Sequence, residues 1–285
     1  MIIQKELYDM AERLKIQSSV LDKDWILGHF LNAMFEIESI RNNFVFKGGT
    51  CLKKCYFSDY RYSEDLDFTL IDRDFIIDKV FINSIISIAS KNSGAGFYLH
   101  KIKPQIHQDI PQGYEITIAF LGADHKPNQI VIPVERWQTK IKLDISFSEK
   151  VFLQPDFKQI FHPYTDKEII RNKVSVYPII EIVSEKIRAL IQRNRPRDIY
   201  DLYFLSHKVN REEYAKIHGL LAQKSKDKNL DCCIIENYIN PIKARKNKRA
   251  WENSLGHHLA INKLIDFDMA YTVVSKFILN IIKNH

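Results

Sequence analysis

Near the N-terminus apolar residues recur at helical spacing, first over roughly Ile3 to Leu14 and then over Asp22 to Arg41, where Ile26, Phe30, Met34 and Ile37 share a stripe. The pattern then breaks into short runs. Phe44 to Phe46 reads as a strand, Gly48-Gly49 as a tight turn, and Thr50 to Tyr56 as a short helix. Alternation predicts a strand at Asp65-Leu66-Asp67 and further strands over Gly96 to Ile102, Tyr114 to Phe120, Gln129 to Pro133 and Lys140 to Phe147, with a helix from about Asp74 to Ser90. In the last strand Lys142, Asp144 and Ser146 alternate with Ile141, Leu143 and Ile145. From Pro178 onward the period is helical: Ile179 to Gln192, Pro196 to His207, Arg211 to Lys224, a segment near Leu230 to Tyr238, and Leu259 to Ile282. The change of period puts a boundary near residues 155 to 177. The expectation is α/β (α+β): a mixed sheet with flanking helices over residues 1–165, then a mostly helical domain over 166–285.

With 285 residues, 45% hydrophobic and 27% charged, the chain has material for a sizeable core and little disorder. Its 42 Lys and Arg against 35 Asp and Glu, a net charge of +7, favour polyanionic partners such as nucleic acid or nucleotides. Cys51, Cys55, Cys232 and Cys233 form neither a CxxC pair nor a Cys/His array with zinc spacing, so they read as reduced thiols. Met1 to Lys15 is charged and amphipathic rather than a signal sequence, and no apolar run reaches membrane-spanning length; a cytoplasmic protein without a membrane partner is expected.

Two stretches carry chemistry. Gly48-Gly49, between a strand and a helix, would present backbone amides to an anion. Asp65 and Asp67 alternate with Leu66, so both carboxylates fall on one strand face, an arrangement suited to Mg²⁺ carried by a nucleoside triphosphate. The competing reading is a pair of exposed strand acids, but acids on an otherwise apolar strand are costly without a cation or donors. Further on, Lys243-Ala244-Arg245-Lys246-Asn247-Lys248-Arg249 followed by Trp251 either tracks a phosphate backbone with the indole stacked on a base, or is a solvated loop. His257-His258 is a pair without matching acids, structural or exposed.

The ordered set Gly48-Gly49-Thr50-Cys51-Leu52, Lys54, Tyr56, Arg61 and Ser63-Glu64-Asp65-Leu66-Asp67 resembles the AbiEii/AbiGii toxin family of the nucleotidyltransferase superfamily. A second block, Ser184-Glu185-Lys186-Ile187-Arg188-Ala189-Leu190 continuing to Arg197-Asp198-Ile199-Tyr200-Asp201-Leu202, resembles that family's later Lys-containing and Arg-Asp-x-x-Asp motifs. Together they span about residues 45 to 205; the last third matches no motif.

The resemblance implies the nucleotidyltransferase fold and a distribution of roles. Gly48 and Gly49 would hold a triphosphate through their amides, while Thr50 either adds its hydroxyl or caps the following helix. Asp65, Asp67 and Asp144 would bind two Mg²⁺ ions, Asp144 also serving as general base. Lys142 either touches phosphate or pairs with Asp144. Lys186 and Arg193 share a helix face from which a cation meets the β- or γ-phosphate as the helical domain closes over the nucleotide. Asp198 contributes to activity ahead of Asp201; the alternatives are dipole complementation for Asp198 and an Arg197–Asp201 pair. Arg61 and Glu64 order the turn before the acidic strand.

The implied reaction moves a nucleoside monophosphate from the triphosphate to an acceptor hydroxyl, with RNA (a tRNA 3′ end) as acceptor and a cognate antitoxin as partner. The alternatives are transfer to a small molecule, or a degenerate protein that binds nucleotide or a partner.

Overall fold

The computed structural model describes residues 2–125, 132–260 and 263–283. Its contacts group the chain into two units, Met1–Tyr177 and Pro178–His285.

In the first unit α1 (Gln4–Leu14) and α2 (Ser18–Met34) precede a separate short helix, α3 (Glu38–Asn43). The sequence pattern joined the last two into one. Between them Arg41 turns back to donate to the carbonyls of Phe35 and Glu36 at 3.0 and 2.9 Å, satisfying the backbone acceptors of the C-cap residue of α2 and the residue after it. Nearly every residue of α2 from Leu21 onward is buried. Its polar members are tied to other segments: Asp22 accepts from the Ala123 amide at 2.7 Å, and Asp24 holds Lys54 at 2.7 Å.

β1 (Phe44–Lys47) runs into a one-turn helix, α4 (Gly48–Cys51), continued by a π-helical turn over Leu52–Tyr56. Then follow β2 (Asp65–Leu70), α5 (Lys79–Ser93), β3 (Gly96–His107), β4 (Ile110–Leu121), β5 (Lys140–Ser146), β6 (Asp156–Gln159) and β7 (Lys173–Val176). They make one mixed sheet in the order β3-β4-β5-β2-β1-β7-β6, with β2–β5 and β1–β7 parallel. Two details depart from the alternation, and a third expectation goes untested. α5 starts at Lys79 rather than Asp74, because Asp78 accepts from the Phe81 amide at 2.7 Å and fixes the N-cap there. β3 and β4 are longer than expected and join through Gln108 and Asp109, both at positive φ (50° and 61°) as a two-residue hairpin turn of the primed type requires. The strand expected at Gln129 to Pro133 falls largely on 126–131, outside the described residues.

The second unit contains α6 (Ile179–Gln192), α7 (Pro196–Ser206), α8 (Tyr214–Lys226), α9 (Pro241–Leu255) and α10 (Phe267–Lys283). Arg211–Glu213 forms a 3₁₀ turn closed by an Asn210–Glu213 capping box rather than the first turn of α8. Leu230 to Tyr238 contributes only the 3₁₀ turn Ile235–Asn237, and α10 begins at Phe267 instead of Leu259.

The basic run is not a loop. It lies within α9, whose N-terminus is capped by Asn240 accepting from Ile242 and Lys243 amides at 2.9 and 3.2 Å, with Pro241 in the first position. Trp251 is only 3% exposed, donates to the Ile265 carbonyl at 2.8 Å and meets Phe267 edge-to-face at 5.3 Å. Base stacking on Trp251 is thereby excluded; burial of the indole holds α9 against α10.

Candidate active site

The site in the first unit is a product of sheet register. Residues paired across neighbouring strands share a face, and the strands lie about 4.8 Å apart. Lys47 of β1 pairs with Asp67 of β2, Asp67 with Asp144 of β5, Asp144 with Glu115 of β4, and Glu115 with Lys103 of β3. A second row carries Asp65, Lys142 and Thr117. The predicted carboxylates Asp65, Asp67 and Asp144 therefore stand on one face, with a fourth acid, Glu115, beside Asp144.

Asp144 takes its protonation bias from this crowding. Burial raises its pKa first, then the charges of Asp65 and Glu115; Lys142 and a hydrogen bond from Gln105 (3.1 Å) only partly oppose them. A concentration of hard oxygen donors that raises the proton affinity of one member is one that a divalent cation would relieve, so the donor set fits Mg²⁺.

The glycine turn is shaped to admit this cluster. Gly48 has φ +79°, and a Cβ there would collide with Asp67 Oδ2, lying 2.9 Å from its Cγ. A Cβ on Gly49 would stand 2.8 Å from Arg61 Nη2 and 3.2 Å from Ser63 Oγ. Arg61 is buried, lies over the Tyr60 ring at 5.5 Å and donates to the Tyr62 carbonyl at 3.2 Å, in keeping with an ordering role. Glu64 pairs with Lys23 at 3.2 Å.

Thr50 does not cap the helix. Its hydroxyl donates to the Asp65 carbonyl at 2.5 Å, fastening the glycine turn to the acidic strand, and no side chain caps α4. Lys142 is exposed and makes no ion pair among the described residues, so the Lys142–Asp144 pairing is absent.

Within the helical unit the second motif block closes on itself. Lys186 is 8% exposed, and its ammonium lies 2.6 Å from Asp201 and 3.5 Å from Asp198. Arg193 forks onto Asp198, Nε to Oδ2 at 2.9 Å and Nη2 to Oδ1 at 2.8 Å. Burial alone would raise the pKa of Asp198, but Lys186 and Arg193 outweigh it and hold the carboxyl below its ordinary range. Arg197 reaches the Ser254 carbonyl (3.2 Å) and His258 Nε2 (2.6 Å). Of the histidine pair, His258 is buried and His257 exposed.

Sequence reasoning missed Lys47, Glu115 and Gln105. Each sits on a strand whose own alternation is unremarkable; only the register across five strands brings them to Asp67 and Asp144.

A further group, His29, His162 and Asp166, has donor atoms within 4.8 Å of one another. His29 Nε2 and His162 Nε2 meet Asp166 at 3.0 and 3.1 Å, and Trp25 Nε1 donates at 3.0 Å, while both buried Nδ1 atoms have no partner. Three N–H groups converging on one carboxylate describe a clamp that ties α2 to the β6–β7 connection. A metal on the Nε2 atoms would instead leave two buried Nδ1–H donors unsatisfied.

A mixed sheet in which a strand–Gly-Gly–helix turn abuts an Asp-x-Asp strand and a third acid defines a nucleotidyltransferase core. Residues 29–273 match the nucleotidyl transferase AbiEii toxin family of type IV toxin–antitoxin systems, and the chain belongs to that family. Among solved structures it resembles the nucleotidyltransferase toxin MenT4 (Rv2826c) of Mycobacterium tuberculosis, with TM-score 0.66, 15% identity, and coverage of 99% of this chain and 90% of that one. JHP933 of Helicobacter pylori gives 0.56 at 18% identity with 94% of each chain covered. A nucleotidyltransferase of H. pylori gives 0.54 at 17%, covering 94% and 97%. Identities this low speak for the fold alone. No curated protein sequence matches the chain. Among the described residues no helix is long and apolar enough to cross a membrane.

Proposed function

We propose that this chain is a Mg²⁺-dependent transferase of the cytoplasm that moves a nucleoside monophosphate from a nucleoside triphosphate to a hydroxyl of RNA, at a tRNA 3′ end, and that a cognate antitoxin protein restrains it. The observation that carries the reading is the direct register of Asp67 against Asp144, with Asp65 two residues along β2 on the same face.

Asp65, Asp67 and Asp144 would hold two Mg²⁺ ions, which when bound supply charge neutralisation for an in-line displacement. Asp144 would take the proton of the acceptor hydroxyl. The acceptor oxygen bonds to the α-phosphorus as the bond to the pyrophosphate oxygen breaks. Amides at Gly48 and Gly49 hold the triphosphate, and the exposed Lys142 ammonium offers it a point charge. Thr50 is assigned to the nucleotide site as the family motif implies, its hydroxyl also donating to the Asp65 carbonyl. In the helical unit Lys186, Arg193 and Asp198 are assigned to the activity as the family motif implies, Lys186 and Arg193 as nucleotide-binding cations, with Asp201 as the anchor of Lys186.

The test is incubation of the purified chain with Mg²⁺, each labelled nucleoside triphosphate in turn, and total RNA. Label in tRNA that disappears with Asp67→Ala supports the reading. Label in no RNA with any nucleotide would overturn the RNA acceptor and leave transfer to a small molecule as the alternative.

A further inference from the structure

The excess positive charge is confined to one unit. Residues 1–177 hold 23 Lys and Arg and 23 Asp and Glu, whereas residues 178–285 hold 19 and 12, which accounts for the whole net charge of +7. Within the helical unit many cations are already engaged: Lys186 and Arg193 by acids, Lys224 by Glu181 at 2.8 Å, and Lys248 by Asp268. Lys243 donates to the Asn237 carbonyl at 3.3 Å.

Arg245, Lys246 and Arg249 are different. All three are exposed, and none has an acidic partner among the described residues. With Ile242, 78% exposed, they occupy positions i, i+3, i+4 and i+7 of α9, one continuous stripe. The buried face of the helix is carried by Asn247, Trp251 and Leu255. The stripe lines a shallow cavity of about 370 Å³. Arg245 and Arg249 are one turn apart, about 6 Å along the axis, a separation on the order of that between successive phosphates of one nucleic-acid strand.

We infer that this outer face of α9 is a phosphate-backbone contact surface for RNA. The inference rests on the RNA-acceptor reading above and adds where the acceptor is held. A polyanion is favoured over a protein partner because the stripe has three unpaired cations and a single aliphatic anchor, while the neighbouring aromatic residues that would make a protein hot spot, Trp251, Tyr200 and Tyr238, are buried. With Trp251 inside, α9 itself offers no ring to a base, so its contact is with phosphates and carries little sequence preference.

The experiment measures binding of labelled tRNA by fluorescence anisotropy over a range of salt, without nucleotide, for the wild type, for the triple variant Arg245→Gln/Lys246→Gln/Arg249→Gln, and for Asp67→Ala. Glutamine is a good helix former, so α9 persists, and a circular dichroism melt confirms it. The triple variant should bind at least ~10-fold more weakly at low salt, with the slope of log K against log salt smaller by about 2, since each single-strand phosphate contact contributes about 0.7. Asp67→Ala should bind like the wild type. If RNA transfer fails while the triple variant still loses binding, the transfer reading falls and the surface stands. Equal affinity and slope in wild type and triple variant, or no RNA binding by the wild type, would overturn the surface. So would a triple variant that loses polyglutamate binding while keeping RNA, since the face would then serve an acidic protein.

Discussion

Gln105 donates its side-chain amide to Asp144 Oδ1 across 3.1 Å, from a strand two places away in the sheet. The bond fixes one carboxylate oxygen and leaves the other open, so if Asp144 is the proposed base, Gln105 would be the residue that positions it. Gln105→Leu removes the donor without adding charge. A hydrogen bond to a charged group contributes about 1.5–3 kcal/mol, so turnover at saturating nucleotide should fall by roughly 10- to 100-fold with the melting temperature little changed. Gln105→Glu should cost more, because a further carboxylate then faces Asp144 and Glu115. Unchanged turnover in Gln105→Leu would show that Asp144 needs no such anchor.

Gly48 allows the backbone to take φ +79° and lets Asp67 approach. Gly48→Ala meets both obstacles: about 1–2 kcal/mol for a left-handed non-glycine residue, and a methyl group driven into the Asp67 carboxylate. Transfer should fall far more than stability does, because Asp67 must rotate away. A melting curve and an activity assay on the same preparation would separate the two effects.

The clamp around Asp166 should make the first unit acid-sensitive in a defined window. Burial is the main cause that lowers the pKa of His162 to about 4, against about 6.5 in an unfolded chain. Between those values the unfolded state binds more protons than the folded one, so stability is fully present above about pH 6.5 and declines toward pH 4 by up to about 1.4 kcal/mol per unit. Asp166, whose pKa is depressed by its histidine and tryptophan donors against the opposing effect of burial, adds a further loss below about pH 4. Chemical denaturation from pH 7 to 4 should show this decline, and His162→Gln should flatten its upper part while lowering the plateau.

Much of this was legible from the sequence. Asp65-Leu66-Asp67 and Lys142-Leu143-Asp144 announced strands through alternation, and Pro196 announced a helix start. What remained hidden depends on distant partners. Nothing local in Glu115 or Lys47 reveals that sheet register aligns them with Asp144 and Asp67. Thr50 looked like a cap because capping is a local property, yet a carbonyl fifteen residues away takes its proton. The basic run was open between a phosphate-tracking stretch and a solvated loop; the Asn240 cap, Pro241 and the buried Trp251 make it a helix despite the repulsion of its like charges.

Lys186 invites a misreading that a double-mutant cycle would prevent. Asp198 and Asp201 are 1% and 0% exposed, and the ammonium of Lys186 lies between them. Lys186→Met takes the ammonium away from two buried carboxylates, a loss of about 3–5 kcal/mol. Inactivity of that variant would therefore follow from a loosened helical unit even if Lys186 never touched phosphate. Lys186→Met/Asp201→Asn removes the ammonium together with the carboxylate nearest to it and should recover much of the stability, with a coupling energy of about 1–3 kcal/mol. If the double variant is stable and still inactive, Lys186 or Asp201 acts in the reaction itself. If activity returns with stability, the pair is a structural tie, and the catalytic assignment in this unit contracts to Arg193 and Asp198.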